Sequence, residues 1–280
     1  MSQRIRPLPL ELLAALLMVV AISACGSDGG KGARQPDGKT ATTKPNDLPA
    51  GAEALVGHYA HFDAVAYEDK TMKTLIISTG FSDLELRNGV MWNQMTFCHA
   101  DTVMDQKIDV SISDRATQAI KPVATPVEVT EVNGRLHVSR PATPTAIGIK
   151  LDDPTNEPLP KDPSDPRIFD ADGDGHPGVT STVKVTKDLQ GQIYLARREI
   201  FAYDVTQTSP NRLVGSITDN SEQLIIGASD PVFLVPAQWK QLDDPTRNPV
   251  IWQRVDKDLD CAGLAQKRTD LFPPNPEANW

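Results

Sequence analysis

From residue 52 onward, apolar side chains return at every second position. Ile108, Val110 and Ile112 alternate with Asp109, Ser111 and Ser113; Ile147, Ile149 and Leu151 flank Gly148 and Lys150; Val183 and Val185 flank Lys184, and Ile193 and Leu195 flank Tyr194. Successive side chains of a strand point to opposite faces, so this period predicts strands with one buried and one wetted face. Turn residues fall between the runs. Asn133-Gly134 separates Val127-Glu128-Val129 from Leu136-His137-Val138, Gln190-Gly191 precedes Ile193, and Asp219-Asn220 lies between Leu213 and Leu224, each at hairpin spacing. No long run repeats at the helical period. The pattern predicts an all-β fold, an antiparallel up-and-down barrel or a sandwich with few helices, in one domain over residues 52–280. Trp92, Trp239 and Trp252 are assigned to its interior, where large aromatics contribute most.

The amino terminus is patterned differently. Arg4 and Arg6 precede an unbroken apolar run of eleven residues, Leu12 to Ile22, which ends in Ile22-Ser23-Ala24-Cys25. A spanning helix needs about 20 residues, so the run fits a signal segment over residues 1–24 better than a membrane anchor. Its ending resembles the lipobox of bacterial lipoproteins. That resemblance implies cleavage before Cys25, diacylglycerol on its thiol and a third acyl chain on the new amino terminus, enough chains for durable membrane attachment. Gly26, standing where Asp would retain such a protein at the inner membrane, resembles the signal for sorting to the outer membrane of Gram-negative cells, facing the periplasm or the cell surface. Residues 25–51 are Gly, Lys, Asp, Thr and Pro with almost nothing to bury, which predicts a flexible lipidated tether.

Charge narrows the list of partners. Removing Arg4, Arg6 and Glu11 from 28 basic and 37 acidic residues leaves 26 and 36, a net charge of −10. Nucleic-acid binding rests on neutralising phosphates with Lys and Arg, and no basic stripe offsets this balance. Of the three cysteines, Cys25 goes to lipid and leaves Cys98 and Cys261. In an exported protein an even remainder reads as a disulfide. The rival role for Cys98, a nucleophile assisted by His99 and Asp101, fails on a strand because neighbouring residues face opposite ways.

The strongest chemical signal is Asp170-Ala171-Asp172-Gly173-Asp174-Gly175-His176-Pro177-Gly178-Val179-Thr180. Carboxylates at positions 1, 3 and 5 with glycine at 6 resemble the first half of an EF-hand loop, where alternating oxygens meet a hard cation on a tightly turning backbone. The resemblance implies Ca²⁺ held by the side chains of Asp170, Asp172 and Asp174 and the carbonyl of His176. The second half departs from that family. Pro177 stands at position 8, Ser181 at position 12 replaces the bidentate Glu, and a strand follows instead of a helix. The loop over residues 170–181 is therefore more similar to the Asp-x-Asp-x-Asp-Gly loops of dockerins and thrombospondin repeats, and to an Asp-Gly-Asp-Gly-x-Pro-Gly-Val-Thr run in exported bacterial lipoproteins. Asp162 and Asp165, in the proline-rich acidic stretch upstream, are candidates for the missing ligands.

Weaker signals remain. Leu55-Val56-Gly57-His58-Tyr59 is similar to the Gly-x-Trp opening of lipocalin-like barrels, with Tyr59 at the Trp position, which implies a barrel that carries a small apolar ligand. His58 and His61 fall on opposite faces of a strand and do not form a zinc pair. No nucleophile elbow, phosphate loop or metalloprotease motif occurs, so no catalytic residue is nominated. The sequence points to a lipid-anchored, calcium-binding β-protein of the cell envelope that binds an envelope protein, glycan or small ligand, or supports structure. A hydrolase acting on envelope glycans or peptides and a lipocalin-like carrier are the alternatives. If the lipobox reading holds, Cys25→Ser leaves the precursor unprocessed or releases soluble protein; a processed Cys25→Ser protein that still partitions with membranes on detergent extraction refutes it.

Overall fold

A computed structural model describes residues 48–70, 72–234 and 239–280; the signal run, the lipobox, Cys25 and most of the tether lie outside the described residues. Among the described residues thirteen strands form, all paired antiparallel within one sheet. They are β1 (Gly57–Glu68), β2 (Lys73–Arg87), β3 (Val90–Met104), β4 (Asp109–Ile112), β5 (Thr125–Pro126), β6 (Glu128–Val132), β7 (Arg135–Ile147), β8 (Val179–Thr186), β9 (Leu189–Ser209), β10 (Arg212–Asp219), β11 (Glu222–Ala228), β12 (Lys240–Gln241) and β13 (Pro249–Arg254). Two α-helices accompany them among the described residues, α1 (Asp114–Gln118) and α2 (Cys261–Leu271). Among the described residues no helix is long and apolar enough to cross a membrane.

The pairing closes on itself. From β10 the order runs through β13, β1, β2, β3, β4, β8 and β9, and β9 pairs again with β10. Closure pairs both edges of the strands in this ring, so the unpaired edges belong to short strands outside it such as β6 and β11. The seam is thinnest between β3 and β4, which share the single pair Asp101–Ser111. Elsewhere the ladders are long: β1 and β2 match twelve residues without a slip, from Gly57–Leu84 to Glu68–Lys73. Two Asn-Gly turns, Asn88-Gly89 and Asn133-Gly134, hold all four residues at positive φ, the geometry that matches the twist of a two-residue hairpin.

Three features of the sequence pattern are corrected. Gln190-Gly191 is not a turn: the chain reverses at Lys187-Asp188, and Gly191 lies inside β9. A Cβ on Gly191 would come 2.2 Å from a ring carbon of Phe233, so this glycine serves close packing. Asp219-Asn220 bends the chain without making a hairpin. β10 and β11 lie end to end along one edge of β9, pairing with residues 201–209 and 193–198, and the bend is held by Ser221 N–H on Asp219 Oδ1 (2.6 Å) and Asn220 N–H on the Ile200 carbonyl (3.0 Å). Trp252 is fully buried and Trp239 nearly so, but Trp92 is half-exposed beneath the Arg87 guanidinium, 5.4 Å from its ring.

Inside the barrel, Tyr59, Val65 and Tyr67 of β1 meet Ile193, Leu195, Tyr203 and Val205 of β9. The other face of β1 is also apolar. Ala60, Phe62, Ala64 and Ala66 pack outward with Leu75, Ile77 and Phe81 against Leu264, Phe272 and Ala278 of the C-terminal segment. Three alanines in alternate positions let that segment approach closely. Helix α2 has only Leu264 buried, so its own sequence gives it little hold on the wall. The Cys98–Cys261 disulfide (Cα–Cα 5.3 Å) supplies that hold, joining β3 to the first residue of α2. Cys98 faces outward because it follows inward-facing Phe97, and the β2–β3 ladder slips at Thr79/Gly80, leaving it as the extra residue between Phe97 and His99. The bridge spans 163 residues, for which the chain-entropy model gives about 5 kcal/mol. Replacing both cysteines by serine is expected to lower the unfolding free energy in urea by about 3–5 kcal/mol, with α2 the first region to lose amide protection; an unchanged midpoint would contradict this account.

Candidate metal centre

The acidic loop sits between β7 and β8 and is closed by backbone bonds. Ala171 N–H donates to the Gly178 carbonyl (2.8 Å) and Gly178 N–H to the Phe169 carbonyl (2.9 Å), so Asp170 and Gly178 form an isolated parallel bridge. Gly178 has φ 83°, and a Cβ there would lie 2.2 Å from the Leu195 carbonyl oxygen; the loop is seated directly on β9. Within it, Asp170 accepts N–H bonds from Gly173 (2.5 Å), Asp174 (3.2 Å) and Gly175 (2.9 Å), and these donors hold its carboxyl below the usual range. Asp174 accepts from His176 N–H at 2.8 Å.

Asp170, Asp172 and Asp174 each offer an oxygen within 4.8 Å of the others, a cluster that can hold a metal ion. Asp172 is the distinctive member. It is 3% exposed, its Oδ2 accepts the Thr180 N–H at 3.1 Å, and its Oδ1 has no partner. Burial, then the charges of Asp174 and Asp170, push its carboxyl up, against the pull of the Thr180 N–H. Thr180, 8% exposed, also has an unpartnered Oγ1 and lines the same open cleft as Asp172 and Asp174. Buried oxygens without partners are costly. All-oxygen donors on a tight loop suit a hard cation.

No family model matches the chain, and no curated protein or solved structure matches it.

Other residues singled out in the sequence fall elsewhere. Ser181, at position 12 of the loop, is fully buried and lines the barrel interior with Tyr67 and Arg197, so it does not stand in for the bidentate Glu. Asp162 accepts from Ser164, and Asp165 is paired with Arg167 (2.9 Å), whose hydrogen bonds lower its carboxyl to about 2. Neither joins the cluster. The His176 ring stacks on Tyr194, centroids 4.3 Å apart. His58 points outward, stacked on Phe81 and bonded to Asp83 (2.6 Å), while His61 points inward, as their spacing requires. His99 bonds Asp114 (2.6 Å) and Asp101 (3.0 Å); burial pulls its pKa down, but these two bonds outweigh it and the net direction is upward.

A second cluster was missed from the sequence. The barrel interior holds His61, Asp63, Arg197, Glu199 and Asp219, all at most 8% exposed, with Tyr67 and Tyr203. Trp252 Nε1–H donates to His61 Nδ1 (3.0 Å). An indole nitrogen only donates, so His61 carries its proton on Nε2 and gives it to Asp63 Oδ2 at 2.5 Å, which also accepts from Tyr203 (3.3 Å). Both imidazole nitrogens are thus engaged. Arg197 grips both oxygens of Glu199 (2.6 and 3.3 Å), and Tyr67 donates to Asp219. The signal was available: Arg197 and Glu199 stand at the same alternate positions of β9 as Ile193 and Leu195. Adjacent Arg198 faces outward to Glu222 (3.0 Å).

Burial, then repulsion from Glu199, raises the Asp219 pKa to about 6. A carboxyl raised above its unfolded value binds more protons in the native state, so stability falls as pH rises from about 4 to about 6. Keeping this group ionised in the folded barrel above pH 6 costs on the order of 3 kcal/mol. Asp219→Asn, which can accept from Ser221 and donate to Tyr67, should be more stable than wild type at pH 7.5 in urea and lose that advantage at pH 4. An equal difference at both pH values would refute the assignment.

Proposed function

We propose that this protein is a lipid-anchored, calcium-binding β-barrel protein of the bacterial cell envelope. The single observation that carries the metal reading is the buried, unpartnered Oδ1 of Asp172 between the carboxylates of Asp170 and Asp174. Three carboxylates and a peptide carbonyl, with no nitrogen or sulfur donor, favour Ca²⁺ over the transition metals. His176 would add its carbonyl at position 7, since its ring is occupied by Tyr194. The role is structural in the first place. Between β7 and β8 the chain runs for some thirty residues without a named strand, and a cation at the end of that stretch would fix where β8 begins.

The neighbouring acidic stretch needs no metal of its own. Asp153 caps Thr155 and Asn156, Arg167 pairs with Asp165 and Glu157, and Arg198 donates to the carbonyls of Pro154 (3.0 Å) and Glu157 (3.1 Å). A carrier role has less support. Two cavities lined by interior residues, among them Tyr67 and Arg197, measure about 50 and 60 Å³, against roughly 300 Å³ or more for the pockets of drug-sized ligands. A hydrolase using His61 has less again, because the nitrogen that would activate a nucleophile accepts the Trp252 indole N–H.

A loop without the bidentate Glu should bind Ca²⁺ in the extracellular range, Kd about 10⁻⁴ to 10⁻³ M. At millimolar calcium that is worth about 0.4–1.4 kcal/mol by mass action. Tm is expected to rise modestly with calcium, and Asp172→Ala to abolish the rise while the calcium-free protein stays folded. A melting curve indifferent to millimolar calcium, with no heat of binding by calorimetry, would reduce the loop to an acidic turn.

A further inference from the structure

A row of outward side chains leads away from the aspartate cluster. Ser111 of β4 is paired with Thr182 of β8, and Thr182 with Gln192 of β9. Their neighbours Val110, Val183 and Ile193 face the core, so the three polar side chains share the outer surface. They line an open cleft of about 370 Å³ together with Asp172, Asp174, Thr180 and Arg115, within the size range of small-ligand sites. Thr180 lines this cleft, and its hydroxyl is buried without a partner. Across the strand pair Thr180 faces Tyr194, on which the His176 ring is stacked. Carboxylates, hydroxyls and an amide therefore meet in one cleft on the barrel wall, with an aromatic pair beside it.

We propose that this cleft binds a neutral carbohydrate, with the loop's Ca²⁺ taking two vicinal hydroxyls of a sugar and the Ser111, Thr182 and Gln192 row bonding the adjoining ones. The proposal rests on the calcium reading and adds a ligand to it. Ca²⁺ takes six to eight oxygens, and the chain offers Asp170, Asp172, Asp174 and the His176 carbonyl. Ser181 is turned into the barrel, so positions remain for oxygens from outside. Charge selects a neutral ligand: three carboxylates, a divalent cation and Arg115 sum to zero, and the acidic chain as a whole repels polyanions. An apolar ligand would strand the hydroxyls of the row.

The test uses the full chain in a sugar-free detergent, titrated calorimetrically in millimolar calcium with mannose, glucose and galactose tetrasaccharides. At least one should bind, roughly tenfold or more weaker in EDTA. Thr182→Val and Gln192→Leu should each weaken it by a similar factor and leave calcium affinity unchanged. Calcium binding without any tetrasaccharide binding would overturn the ligand and spare the metal. Tighter binding of tetragalacturonate than of every neutral probe would overturn the neutral class. No heat with calcium would take down both.

Discussion

The structure depends on the ladder of β9. Over 21 residues this strand pairs on one edge with β8 and then β7, and on the other with β11 and then β10. It closes the barrel, carries the acidic loop on its Leu195 carbonyl and sends Arg197 and Glu199 into the core. Because the side-chain period is two, register fixes all of this at once. A slip of one residue would turn the Arg197–Glu199 pair to solvent and bring Arg198 and Tyr194 inward, so no part of the arrangement can shift alone.

Against this rigid frame the interior charges are costly. Taking ions out of water is seldom repaid by their mutual attraction, and hydrophobic replacements of similar volume are often neutral or better. Here each charge is matched by directional bonds. Trp252 sets the tautomer of His61, His61 and Tyr203 share one oxygen of Asp63, and Arg197 holds both oxygens of Glu199. Arg140 is the exception: it is 3% exposed, its Nε has no partner, and it lies over the Tyr203 ring with one bond to the Phe201 carbonyl. A network so specific tells the barrel which side chains face which neighbours, at some expense in stability.

The sequence made most of the wall legible and little of what fills it. Alternation located β4, β8 and the start of β9, and cysteine parity paired Cys98 with Cys261, since each depends on local period or on counting. The Asp170, Asp172 and Asp174 cluster was readable because its ligands are nearly consecutive. The ring order was not, because a strand's partner is decided by twist and length across distant segments. Nor was helix α2, whose residues form no apolar stripe and which is held by a covalent bond and by Phe272 beyond its end. Gly191 misled because a glycine required by a neighbour's ring and a glycine required by a turn look alike in one dimension.

The neighbours of β1 have a consequence for how the protein reaches this state. β1 lies between β2, which follows it directly, and β13, whose residues come about 190 positions later; Tyr59 faces Arg254 across that ladder. Its outer face is covered by the last twenty residues of the chain. β1 is thus half-made until β13 and the segment from α2 onward are available to cover it. Such non-local closure makes for slow folding, since loop entropy is lost before the contacts that repay it form. Acquisition of the native barrel is a late event, waiting on β13 and the α2 segment some two hundred residues beyond β1.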